Sequence, residues 1–71
     1  MRKIRVLIVD DHTVFAESLA LVINLQRDME TVGIATSCAA ALESAGRLEP
    51  DVALLDVILP DGDGIDVAQA V

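Results

Sequence analysis

Seventy-one residues carry 12 acidic and 5 basic side chains, a formal net charge of −7, and 54% hydrophobic residues. That length bounds the chain to one small domain at most, below the ~100–150 residues of an ordinary one, and so much apolar content excludes a disordered tail. A pI near 4.2 disfavours phosphate-backbone binding by this piece alone; a single cysteine, Cys38, excludes a disulfide framework or a thiolate zinc cluster.

No apolar run approaches the ~20 residues of a membrane span. The opening Met-Arg-Lys-Ile-Arg-Val-Leu-Ile-Val has the start of a signal peptide, but Arg5 interrupts it. It closes on Asp10-Asp11 with no small-residue cleavage site, so the expected location is cytoplasmic. Residues 4–9 read as a strand: Ile4, Val6 and Ile8 alternate with Leu7 and Val9, so both faces are apolar, as in a covered parallel sheet. Residues 13–27 switch to helical period, with Thr13, Glu17, Asn24 and Arg27 on one narrow polar stripe. So thin a stripe predicts a helix largely buried against a sheet.

Residues 31–35 form a weaker strand, with Val32 and Ile34 on one face and Thr31, Gly33 and Ala35 on the other, which suits an edge. Ser37 can cap a second helix over 37–48, where Cys38, Ala41, Leu42, Ala45 and Leu48 share a face. Gly46 costs that helix roughly 1 kcal/mol relative to Ala and weakens its last turn. Glu49-Pro50-Asp51 breaks it, and Val52-Ala53-Leu54-Leu55-Asp56 reads as a third strand (52–56), apolar on both faces. Residues 60–64 read as a loop and 65–71 as a third helix. The alternation β-α-β-α-β-α predicts a parallel sheet with right-handed crossovers.

Ligands of open parallel sheets bind outside the carboxyl ends of the strands. The first strand ends in Asp10-Asp11 and the third in Asp56, so three carboxylates converge if those strands are neighbours. Mutual repulsion would raise their pKa values unless a cation sits among them. Magnesium, which takes one or two carboxylates and keeps several waters, suits such a cluster better than calcium. Each acid also has a plainer reading: Asp10 or Asp11 can cap the helix that begins near Thr13, and Asp56 can be an ordinary acid at a strand end.

Taken together, Val-Asp10-Asp11-His12 and Leu-Leu-Asp56-Val-Ile-Leu-Pro60-Asp-Gly-Asp-Gly64 resemble a response-regulator receiver domain, of the subgroup with LuxR-type helix-turn-helix output domains. The resemblance spans the whole chain, residues 1–71, and implies the first half of a flavodoxin-like doubly wound sheet of strand order 2-1-3. It implies that Asp56 is the phosphoacceptor for a sensor histidine kinase. It further implies that Mg²⁺ is held by Asp10, Asp11, Asp56 and the backbone carbonyl of Ile58, and that Pro60 and Gly64 shape the loop after Asp56. Such a domain is a phosphoacceptor rather than an enzyme in its own right, and touches DNA only through an output domain. Receivers supply a Ser/Thr and a Lys to the phosphoryl group from later strands; no Lys follows Lys3 here, so phosphotransfer by these 71 residues is expected to be impaired.

Other features have less to say. Asp61-Gly-Asp63-Gly64-Ile-Asp66 has the look of a calcium loop, but Asp66 stands where the template needs Gly, and a polar turn is the better reading. His12 reads as a solvated turn residue, and Cys38 as a packed helix residue. Two rival functions remain open: an independent Mg²⁺-dependent phosphotransfer or phosphatase enzyme, and a stand-alone interaction module. In order 2-1-3 the strand 52–55 has an open apolar edge, so a homodimer or higher oligomer is expected there or at the surface of the third helix.

Overall fold

The computed structural model describes residues 2–56, 58–59 and 61–63, with the backbone alone at 58, 59 and 63. β1 (Ile4–Val9) is the central strand. Four consecutive residues, Val6 to Val9, are at most 1% exposed, which requires cover on both faces. Burying each of these side chains stabilises the fold by roughly 1.5–3 kcal/mol before chain entropy is set against it. β2 (Met29–Ala35) pairs parallel with β1 on one side and β3 (Val52–Leu55) on the other, giving the order β2-β1-β3.

The two faces of β1 carry different helices. Val6 and Ile8 pack with Ala16 and Ile23 of α1 (Thr13–Asn24), while Leu7 and Val9 pack with Ala35 and with Ala41 of α2 (Cys38–Leu48). One helix on each face of a parallel sheet makes the fold the truncated doubly wound α/β arrangement expected from the sequence. Ser37 caps α2 as expected, accepting from Ala40 N at 3.1 Å. Gly33 lets Leu48 pack close: a Cβ there would stand 2.9 Å from Leu48 Cδ1 and force that side chain to shift.

Several expectations need correction. α1 stops at Asn24 rather than Arg27: the bonds tighten to Gln26 N–H on Ile23 O at 3.0 Å, and the Asn24 side-chain oxygen accepts the N–H of Thr31 at 2.8 Å, tying the helix end to β2. β2 accordingly starts at Met29, paired with Ile4, two residues before the predicted strand. α1 is not largely buried: Val14 is 79% exposed, Phe15 58% and Leu21 69%, because the short sheet covers only the side carrying Ala16 and Ile23. Gly46 does not fray α2, which runs to Leu48 and ends on Glu49 in the left-handed region at φ 48°. Leu42 faces solvent instead of the core. β3 is covered on one face only, with Val52 and Leu54 exposed and Ala53 and Leu55 half-buried.

β5 (Gly62–Asp63) falls within the predicted loop 60–64 and pairs antiparallel with β4 (Ile58–Leu59), just before it, in a short hairpin. The third helix over 65–71, with Pro60 and Gly64, lies outside the described residues.

Candidate functional site

The carboxyl ends of β1 and β3 lie side by side. Asp10 N donates to Ala35 O at 2.9 Å and Asp56 N donates to Val9 O at 2.8 Å. Each aspartate thus continues the hydrogen-bond ladder one step past its strand, at the same end of the sheet. The ligand atoms of Asp10, Asp11, His12 and Asp56 all fall within 4.8 Å of one another. Three of the four residues named from the sequence are therefore together. The fourth, Ile58, opens β4 two residues after Asp56.

His12, favoured from the sequence as a solvated turn residue over a metal ligand or base, joins the three aspartates. Its ring is largely exposed, yet Nδ1 sits 2.8 Å from Asp10 Oδ1, 3.2 Å from Asp11 Oδ1 and 3.8 Å from Asp56 Oδ2. Its backbone N–H also donates to Asp10 Oδ1 at 2.9 Å. That N–H, and after it the imidazole, hold the Asp10 carboxyl below its ordinary range. The expected upward push from crowded carboxylates is therefore not what Asp10 experiences: only burial raises it, and the hydrogen bonds from His12 outweigh that. The hydrogen bond to Asp10, followed by the charge of Asp11, raises the His12 pKa in turn. Helix α1 has His12 at its N-cap and no side-chain cap bond, so neither aspartate serves as its cap.

A groove of about 350 Å³ runs from Phe15 and Leu19 of α1 across Leu54 to the carboxylates of Asp10 and Asp56. Asp61 lies in a turn, where the sequence placed it, and its carboxylate also reaches across the chain. Its Oδ1 accepts from Cys38 N at 2.6 Å and its Oδ2 from Ala39 N at 3.1 Å, both at the start of α2. Those two N–H groups hold the Asp61 carboxyl below its ordinary value. Cys38 is half-buried and packs against the core on the α2 side, as expected.

A parallel sheet of order 2-1-3 with aspartates gathered at its carboxyl end places the chain in the doubly wound class that binds ligands there. The family model of the response regulator receiver domain matches residues 6–71, and the chain belongs to that family.

Among its relatives, a protein-glutamate methylesterase/protein-glutamine glutaminase of Albidiferax ferrireducens is 47% identical over 66 residues, 93% of this chain and 18% of that protein. The transcriptional regulatory protein NarL of Mycobacterium tuberculosis is 45% identical over 69 residues, 97% of this chain and 32% of that protein. The solved signal receiver domain of NarL from Mycobacterium tuberculosis superposes with a TM-score of 0.93 at 43% identity. That match covers 99% of this chain and 56% of the solved one. The chain thus spans a third or less of these two relatives and about half of the solved receiver.

Proposed function

We propose that residues 1–71 are the first half of a receiver whose phosphoacceptor is Asp56, serving a two-component regulator of transcription in the cytoplasm. The observation that carries this reading is the meeting of Asp10, Asp11 and Asp56 within 4.8 Å at the carboxyl end of the sheet. A carboxylate oxygen of Asp56 attacks the phosphorus of a phosphohistidine on a sensor kinase. The P–N bond breaks, its electron pair returns to the imidazole, and an aspartyl phosphate forms. Asp56 is suited to this by its half-buried place beside the groove, open enough for an incoming phosphoryl group.

The donor set fits a hard divalent cation: three carboxylates offer oxygen ligands, which Mg²⁺ prefers to imidazole. Asp10, Asp11, Asp56 and the carbonyl of Ile58 would hold Mg²⁺, which when bound neutralises charge on the phosphoryl oxygens. The hydrogen bonds from His12 favour the anionic form of Asp10, the form that receives a cation. The transcriptional output is supported by the wording around Asp10-Asp11-His12 and 59–64 and by similarity to NarL. The methylesterase relatives make an enzymatic output the competing arrangement for the longer protein. DNA contact belongs to that output.

Phosphorylation is tested by incubating the protein with an acyl phosphate and Mg²⁺ and mapping the adduct by mass spectrometry. The expected result is a slow, Mg²⁺-dependent adduct on Asp56 that is absent in Asp56→Asn; an adduct that persists in that variant contradicts the assignment.

One observation favours a second property, self-association. β3 has no strand on its outer side among the described residues, and Val52 and Leu54 are 43% and 40% exposed. We propose that a second copy covers this edge.

A further inference from the structure

The β4–β5 hairpin has two residue pairs, Ile58↔Asp63 and Leu59↔Gly62, far too few to hold a hairpin in place alone. Its anchor is the Asp61 carboxylate, which takes the N–H groups of Cys38 and Ala39 with one oxygen each. Ser37 takes the next, Ala40. A carboxylate is well matched to the positive end of a helix, and its hydrogen bonds there are charge-assisted. The seat is close as well as polar: a Cβ at Gly62 would stand 2.9 Å from Cys38 Sγ. Neither feature takes part in the chemistry assigned to the acidic cluster, yet the hairpin they hold begins two residues after Asp56.

We propose that Asp61 is a positioning residue: by seating the hairpin on the N-terminus of α2 it fixes the backbone at Ile58, and so sets the affinity of the neighbouring carboxylate cluster for a divalent cation. The inference rests on the reading of Asp10, Asp11, Asp56 and the Ile58 carbonyl as cation ligands. Groups that orient metal ligands without touching the metal typically change affinity by about 10–100-fold. Asp61 acts on the ligand set through backbone placement, not by attracting the cation with its own charge.

The test is Mn²⁺ titration of the 71-residue protein, with amide hydrogen exchange read at Cys38 and Ala39. Asp61→Ala is expected to speed exchange at both amides and to weaken Mn²⁺ binding about tenfold. The loss persists near 1 M salt, where charge effects are screened beyond about 3 Å. Gly62→Ala, which changes no charge but sets a Cβ against Cys38 Sγ, is expected to weaken Mn²⁺ binding as well. Adding Cys38→Ala to Gly62→Ala removes the obstructing sulfur and restores the affinity. Rapid exchange at Cys38 and Ala39 with Mn²⁺ affinity unchanged in Asp61→Ala would overturn the proposal while leaving the metal site intact. A loss that vanishes in high salt overturns it too, since charge alone then explains the effect. If Asp11→Asn binds Mn²⁺ as the wild type does, the reading of the cluster fails, and the inference fails with it.

Discussion

His12 and Asp61 show how much a single donor or acceptor decides when the surrounding charges are alike. The His12 pKa is raised by its bond to Asp10, so its contribution to stability is complete below about pH 6.5 and is lost as pH rises through the folded value. Asp10, Asp51 and Asp61 are lowered, first of all by backbone N–H groups of His12, Arg5 and Cys38 respectively. Their contributions are present above about pH 4 and are lost as pH falls through the depressed values. In EDTA, thermal stability is therefore expected to be greatest between about pH 4 and 6.5. NMR titration checks the neutral limb: the His12 ring should titrate above its ordinary value and return toward it in Asp10→Asn. Asp10, Asp11 and Asp56 were legible in the sequence because strand ends carry them to one place. His12 and Asp61 were not. The former's ring direction depends on the turn it occupies, and the latter's partners lie 22 and 23 residues away with no local pattern to announce them.

Among the elements, β1 was the most readable and α1 the least. A short aliphatic run closed by Asp10-Asp11 suits a strand covered on both faces, and Val6 to Val9 are buried accordingly. Helix α1 has an equally apolar sequence, but periodicity reports what a helix could bury, not how wide a sheet lies beneath it. Three strands cover one side, and Val14, Phe15 and Leu21 are left outside. Helix ends were legible only where a cap was local: Ser37 announced α2, whereas the end of α1 is tied to Thr31, seven residues on, by the Asn24 side chain. The end of α2 holds a strained position, since Glu49 adopts φ 48°. A non-glycine residue there costs roughly 1–2 kcal/mol, and glycine's greater unfolded freedom returns about 0.5–1 kcal/mol of that. Glu49→Gly is thus expected to stabilise the protein by about 0.5 kcal/mol in chemical denaturation, and a destabilised variant would contradict this reading of the cap.

At the scale of the molecule, an acidic surface and an open apolar edge oppose each other. The net charge of −7 keeps copies apart, while β3 with Leu54 and the exposed face of α1 favour contact. Self-association is therefore expected to strengthen with salt, which screens the repulsion, and to be abolished by Leu54→Lys; sedimentation at low and high salt reads both. A monomer at every concentration and salt level contradicts the edge proposal. The central claim, however, concerns the carboxyl end of the sheet rather than its edge, and Mg²⁺ titration followed by amide NMR tests it most directly. The expected result is a saturable shift of resonances confined to Asp10, Asp11, Asp56 and Ile58 and lost in Asp11→Asn; shifts spread over the acidic surface, or unchanged in that variant, would contradict it.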